Sequence, residues 1–362
     1  MRVMLVTGSF PPLPCGVGDY TYHLAGALAE RPGLRVSILT SRLKETPPET
    51  SFEVLPVMDS WRLKAAPAAF RAIRRWAPDI VHPQYPTQGY GDGFLPWLLP
   101  AIGFSAGCRV VQTWHESYAR QRGPLLFLKA MVPSRLVVVR PNYRELLKPI
   151  LRPALWGKKP LYIPNASSIG KIALTPEARA CLRTRYLAGQ QRLIVFFGFV
   201  YPQRGVDKLF EIANPQTDRI VIAGNIGADA DYGREIVRRA SRPPWVGKAT
   251  ITGFLPPDDI GALLASADAV VLPYRTGGGE WNTGIHSAVL NGAFVLYSSL
   301  HPAGYDPKRN TYSVRIDDVR EMQSALAKYA GRQRAYAPDL DVPEWQNIAA
   351  AHEALYSEIA CS

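Results

Sequence analysis

Between Pro273 and Ser299 the chain reads PYRTGGGEWNTGIHSAVLNGAFVLYSS, its densest set of residues able to do chemistry. An apolar run ends at Tyr274, a loop of Gly277, Gly278 and Gly279 leads to Glu280, and Thr283 has the type and place of an N-cap. The short helix it would open ends at Asn291–Gly292. First-turn amides of such a helix are open donors for an anion. A carboxylate beside them can accept hydrogen bonds from sugar hydroxyls. A solvated acid on a surface loop is the plainer alternative for Glu280.

Near the N-terminus, Gly16 and Gly18 stand between an apolar run and a helical pattern, where backbone N–H groups can face a phosphate. A purely structural turn explains them equally. Dinucleotide binding fits badly: Pro11, Pro12 and Pro14 follow the strand, Thr21 holds the third glycine place, and Thr40, Ser41 and Arg42 stand where an acid is expected. Asp19 can meet an acceptor hydroxyl or simply favour the helix start. His115 ends an apolar run and reads as a structural or a functional imidazole. Asp229–Ala230–Asp231 and Asp339–Leu340–Asp341 have the Asp-x-Asp form that holds Mn²⁺ or Mg²⁺, but neither follows a strand. No metal and no cofactor is expected.

These residues need a scaffold, and the apolar runs supply it. Arg2 to Thr7, a helical pattern with Tyr20, Leu24 and Leu28 on one face, and Leu34 to Thr40 make a βαβ unit, hence a parallel sheet. Further strands are expected at Ile80–Val81, Arg109–Thr113 and Leu136–Val139. A second series falls at 193–199, 219–224, 249–254, 269–274 and 294–299, alternating with helical stretches. The join is expected near 165–185, where periodicity fades. The expected class is α/β: two Rossmann-like domains, 1–170 and 171–342, with parallel sheets facing across a cleft. An amphipathic helix in 343–362, preceded by Pro343, is expected to cross back to the first domain.

Composition limits the remaining classes. The chain has 362 residues, 47% hydrophobic and 20% charged, with no apolar run near the roughly 18 residues of a membrane span. No secretory signal is evident, and Cys15, Cys108, Cys181 and Cys361 are scattered, which suits a reducing cytoplasm. The net charge of +12 lies wholly in residues 1–180, with 23 Lys+Arg against 11 Asp+Glu; residues 181–362 balance at 19 each. An anionic partner for the first domain follows, or a solvated basic face. WRLKAAPAAFRAIRRW at 61–76 joins Arg62, Lys64, Arg71, Arg74 and Arg75 to Trp61, Phe70, Ile73 and Trp76. It reads as an interfacial helix on the inner membrane face or as a core helix with a basic outer face. No RRM, KH or zinc signature supports nucleic acid.

Five segments in order resemble the family-4 retaining glycosyltransferases with the GT-B fold, over nearly the whole chain. They are VTGSFPPLPCGVGDYTYHLAGAL, VVQTWHESYA at 110–119, YIPNASSIG at 162–170, FFGFVYPQRGVDKLFEIA at 196–213 and the stretch around Glu280. There are departures. The family usually has two glutamates; Glu280 is displaced by one place from the first, and Ser287 replaces the second, which usually holds the ribose. Phe199 replaces an arginine, while Arg204 matches a lysine and keeps its charge with a fork suited to phosphate.

The resemblance implies a metal-independent transferase that keeps the anomeric configuration. It would move a sugar from a UDP- or GDP-linked donor to a glycan, lipid-linked or small-molecule acceptor, in polysaccharide or glycolipid synthesis. His115 and Glu280 are implied as catalytic. Gly16, Gly18, Arg204, Lys208, Asn225, Thr283, Gly284 and Ser287 are implied to bind the nucleotide-sugar, and Asp19 and Tyr85 the acceptor. Two alternatives keep the fold: a non-catalytic nucleotide-sugar or glycan-binding protein, and a sugar-nucleotide hydrolase or epimerase.

Overall fold

Runs of Val, Ile and Leu that are apolar on both faces become the central strands of two parallel sheets, because helices cover both sides of each. The computed structural model describes all residues except 14, 44, 46, 117–124, 227–229, 333–341 and 362. The chain divides into two units, Met1–Asn165 with Pro343–Ser362, and Ala166–Val342.

In the first unit the strands are β1 (Arg2–Val6), β2 (Arg35–Ser41), β3 (Glu53–Met58), β4 (Ile80–Tyr85), β5 (Arg109–Trp114), β6 (Arg135–Val138) and β7 (Leu161–Tyr162). All pair in parallel, in the order β3-β2-β1-β4-β5-β6-β7. The second unit has β8 (Arg192–Phe197), β9 (Asp218–Ala223), β10 (Ala249–Ile251), β11 (Ala269–Leu272), β12 (Val295–Ser299), β13 (Gly304–Asp306) and β14 (Thr311–Arg315). Their order is β10-β9-β8-β11-β12-β14-β13, parallel except for β13 on β14. In each sheet the direction of winding reverses, between β1 and β4 and between β8 and β11. Open α/β sheets bind ligands at the carboxyl ends of the strands beside such a reversal.

The final helix, Trp345–Ala360, packs on the helix Gly16–Ala29. Trp345 stacks on His23 and meets Tyr20 edge-on, each at 5.3 Å between ring centroids. Arg31 pairs with Glu353, and buried Tyr356 bonds His82 Nδ1 at 2.6 Å. Among the described residues no helix is long and apolar enough to cross a membrane.

The helix Ala66–Trp76 corrects one part of the sequence reading. Ala69, Ile73 and Trp76 face the core, and Trp61 is buried with its Nε1 donating to Ser41 Oγ. Trp76 Nε1 donates to Glu53. Both tryptophans therefore belong to the core, and only Phe70 and Leu63 are left exposed among the basic residues. Arg71, Arg74 and Arg75 are exposed on the opposite side of this helix.

Candidate active site

At the end of β8 the backbone turns through Gly198, whose φ of 110° suits glycine, and passes against Gly224 beyond β9. A Cβ on Gly224 would lie 1.9 Å from the Gly198 carbonyl oxygen, so the two loops meet backbone to backbone. Phe199 lies edge-on to Phe254 at 5.8 Å. Exposed Asn225 follows, its carbonyl accepting from Val200 N–H at 3.2 Å.

The next turn holds Arg204. Gly205, at φ 65°, comes so close to β11's end that a Cβ would lie 2.1 Å from the Pro273 carbonyl oxygen. Arg275 N–H donates to Gln203 O at 2.9 Å and completes the join. Arg204 Nε donates to Tyr201 Oη at 2.9 Å, and its guanidinium sits over the Tyr274 and Tyr201 rings at 5.0 and 5.3 Å. Aromatic faces hold such a cation in place without neutralising it. Lys208 is more enclosed: it pairs with Asp317, and burial lowers its pKa. Asp207 pairs with Arg275 at 2.6 Å and accepts from Tyr232 Oη at 2.6 Å.

Beyond β11 the glycines fold tightly. Gly278 N–H donates to Ser298 O at 2.6 Å, and Ser298 Oγ donates to Tyr274 O. Gly279 N–H donates to Asn282 Oδ1 at 2.8 Å. The N-cap of the helix Thr283–Leu290 is Asn282; the sequence reading had placed it at Thr283, which is the first helical residue. Asn282 spends its side chain on Gly279, so the amides of Thr283 and Gly284 stay open as first-turn donors. Glu280 is exposed, and its carbonyl accepts from His286 Nε2 at 2.6 Å. Arg309 donates to His286 Nδ1 at 3.2 Å, which fixes that imidazole. The backbone of Glu280 is thus pinned while its carboxylate points to solvent. His286, Asn282 and Arg309 were missed from sequence; a histidine one turn into a helix after an acid was the available signal.

Ser287 is only 1% exposed, donating to Thr283 O at 2.8 Å and bonded to Ser167 Oγ at 2.7 Å. A ribose could reach its hydroxyl only if the Ser167 bond opened.

The first unit builds its own strand-end site. Gly8 and Gly89 pack so closely that a Cβ on Gly89 would lie 1.7 Å from Gly8 O. Gly8 N–H donates to Thr87 Oγ1, Gly89 N–H to Ser9 Oγ, and Ser41 Oγ to Gly8 O, so the loops after β1, β2 and β4 are laced together. Gly18 is buried, with a Cβ position 2.7 Å from Ser9 O, whereas Gly16 is exposed at the helix start with open space around it. Asp19, half-exposed, lies 3.5 Å from His23. Tyr85, read as an acceptor contact, is instead 1% exposed; its hydroxyl donates to Pro96 O and Lys129 Nζ sits over its ring, so it presents no surface to a ligand.

His115 follows β5. Its N–H donates to Tyr85 O at 2.6 Å and its Nε2 to Gln84 Oε1 at 3.0 Å, leaving Nδ1 as an unprotonated acceptor. Burial, with smaller pushes from His352 and Arg140, holds its pKa at about 3, so the ring is neutral. Of the Asp-x-Asp triplets, Asp229 and all of 339–341 lie outside the described residues, and Asp231 pairs with Arg234.

The structure therefore places Arg204, Asn225 and Glu280 on the strand-end loops of the second unit, with Thr283 and Gly284 in the first turn of the helix that follows. In the first unit it places His115 after β5, with Gly16 and Asp19 in the first turn of the helix Gly16–Ala29. The family described as "Glycosyl transferase 4-like domain" matches residues 15–152. Alpha-D-kanosaminyltransferase of Streptomyces kanamyceticus is 33% identical over 269 residues, 68% of this chain and 67% of that protein. The GDP-mannose-dependent alpha-(1-6)-phosphatidylinositol monomannoside mannosyltransferase of Mycobacterium tuberculosis H37Rv is 23% identical over 313 residues, 76% of this chain and 74% of that one. Sucrose-phosphate synthase from Thermosynechococcus elongatus superposes over 100% of both chains with a TM-score of 0.73 at 16% identity. With these two strand-end sites on two such sheets, and a relative a third identical over two thirds of its length, the chain belongs to the family-4 glycosyltransferases of the GT-B fold.

Proposed function

We propose that this glycosyltransferase moves a sugar from a UDP- or GDP-linked donor, held by the second unit, to a glycan, lipid-linked or small-molecule acceptor bound by the first. The observation that carries this reading is Glu280: a carboxylate open to solvent on a pinned backbone, beside the open amides of Thr283 and Gly284. That arrangement suits sugar hydroxyls next to a diphosphate. The GDP-mannose dependence of the mannosyltransferase relative supports a nucleotide-sugar donor, and the phosphatidylinositol monomannoside in its name supports a lipid-linked acceptor. Transfer proceeds with retention and without a metal. The leaving diphosphate, its charge offset by Arg204, Lys208 and helix amides, helps deprotonate the acceptor on the same face of the sugar. The protein contributes orientation and electrostatic stabilisation. Neutral His115, with Nδ1 free, serves as a hydrogen-bond acceptor in catalysis.

A non-catalytic nucleotide-sugar-binding protein is the second reading, favoured by the enclosed Ser287 hydroxyl and by Phe199 against Phe254. Both readings require a diphosphate site. Arg204→Ala is expected to weaken UDP or GDP binding by about 1.5–3 kcal/mol, the range for a charged hydrogen bond. Arg204→Lys should restore part of the loss, through charge without the fork. Calorimetry on the three proteins measures this, and equal affinities would remove Arg204 from the site.

A further inference from the structure

The most exposed large apolar side chains among the described residues of the first unit lie between Leu126 and Tyr162. Trp156 is 87% exposed, Met131 79% and Ile150 78%. Local structure forces them outward. The helix Leu126–Ala130 turns Leu126 and Lys129 into the core and ends at Met131. It packs against the turn Pro149–Leu155, which buries Leu151, Ala154 and Leu155 and so leaves Ile150 and Trp156 outside. Lys158 Nζ donates to Val132 O at 3.0 Å and Ser134 O at 3.3 Å, tying the Trp156 loop to the segment after Met131. The edge strand β7 adds Leu161 and Tyr162, both partly exposed.

Residues 126–162 contain eight Lys+Arg and a single acid, Glu145. The exposed charge around these side chains is mainly positive, since Arg135 pairs with Glu358, Arg140 pairs with Glu116 and Lys129 is buried, while Arg144, Lys148 and Lys159 stand outward. Here the aromatic and aliphatic groups face outward with the exposed cations. Contiguous exposed apolar groups mark an interaction site. Protruding Trp, Ile and Met ringed by cations match the interfacial layer of an anionic bilayer, where indole sits at headgroup depth and Lys and Arg meet phosphate.

We propose that the face formed by Met131, Ile150, Trp156, Lys148 and Lys159 docks this protein on an anionic lipid bilayer. Binding of this kind needs no donor, so it stands or falls apart from the transfer reaction.

The test is sedimentation of the full chain with phosphatidylcholine vesicles, with and without about one third phosphatidylglycerol, at roughly 0.05 and 0.5 M salt. The parent is expected to bind the anionic vesicles at low salt and release as salt rises. Ile150→Ser with Trp156→Ala, and separately Lys148→Glu with Lys159→Glu, should each lower the partition coefficient at least about tenfold. Arg71, Arg74 and Arg75 changed to Glu should lower it far less. All these side chains are exposed, and unchanged circular dichroism and Tm will verify folding; two independent pairs keep the test valid should one misfold. A parent that ignores anionic vesicles at low salt overturns the proposal, as does unchanged binding in both pairs. A dimer in sedimentation velocity that the Ile150/Trp156 pair breaks, with vesicle binding untouched, assigns the face to a second copy instead.

Discussion

Exchange of Glu280 for glutamine is expected to lower sugar transfer by about a hundredfold or more, with affinity for the free nucleoside diphosphate changed by less than about twofold. The substitution keeps the size of the side chain, and the backbone bond from His286 Nε2 to the residue 280 carbonyl is untouched. Only the negative charge is lost, and the proposed partner of that charge is the sugar. The loss should therefore appear in kcat with donor bound, and calorimetric binding of UDP or GDP should hardly move. Equal losses in both would place Glu280 on the nucleotide. No loss in either would return it to a solvated loop acid.

The second large effect is on stability, and it is expected in acid. His82, His115 and His352 are buried in the first unit, and burial lowers the pKa of each from 6.5: His352 to about 4, His115 to about 3, and His82 also well down. His352 Nδ1 donates to Ile348 O at 2.8 Å, and its Nε2 has no partner among the described residues. About one unit or more above pH 6.5 these rings are neutral in both states and contribute almost nothing to the pH dependence. Below 6.5 the unfolded chain takes up protons that the native unit refuses, so stability falls from pH 6.5 down to about 4 for His352 and about 3 for His115. At pH 5 the loss is roughly 2 kcal/mol each for His115 and His352, and His82 adds to it in the same direction. Urea unfolding at pH 7 and pH 5 measures it. Tryptophan emission reports mainly the first unit, which holds Trp61, Trp76, Trp97, Trp114, Trp156 and Trp345, against Trp245 and Trp281 in the second. His352→Gln should remove about one histidine's share of the drop. Equal midpoints at the two pH values would mean that water or a native proton reaches these rings.

The parallel sheets were legible because their central strands, such as AVVL at 269–272 and LIVFF at 193–197, are unbroken apolar runs. Of the edge strands only β10 was, as part of 249–254; β3, β7 and β13 were not. β3 reads EVLPVM with a proline inside it, which an edge tolerates, and β7 has only two residues. The tryptophans misled for a related reason. Spacing shows that Trp61, Trp76 and Trp156 are near basic residues, but only the packing shows that the first two turn inward and the third outward. At the second unit's loops, the Gly277–Gly279 turn and Glu280 could be read from residue types. The bonds from His286 to Glu280, from Asn282 to Gly279 and from Ser287 to Ser167 could not. They join side chains to backbone or to distant segments and leave no periodic trace. Tyr85 ends β4 among polar neighbours, and nothing in IVHPQY shows that its ring lies under Lys129.

Sugar transfer itself is tested most directly by nucleoside-diphosphate release from a panel of UDP- and GDP-sugars, with and without glycan and lipid-linked acceptors, with the glycosylated product followed by mass spectrometry. At least one donor is expected to be consumed only when an acceptor is present, with the sugar recovered on that acceptor. A nucleotide-sugar that binds and is never consumed with any acceptor, or one hydrolysed at the same rate without acceptor, would contradict transfer and leave a binding protein or a hydrolase in its place.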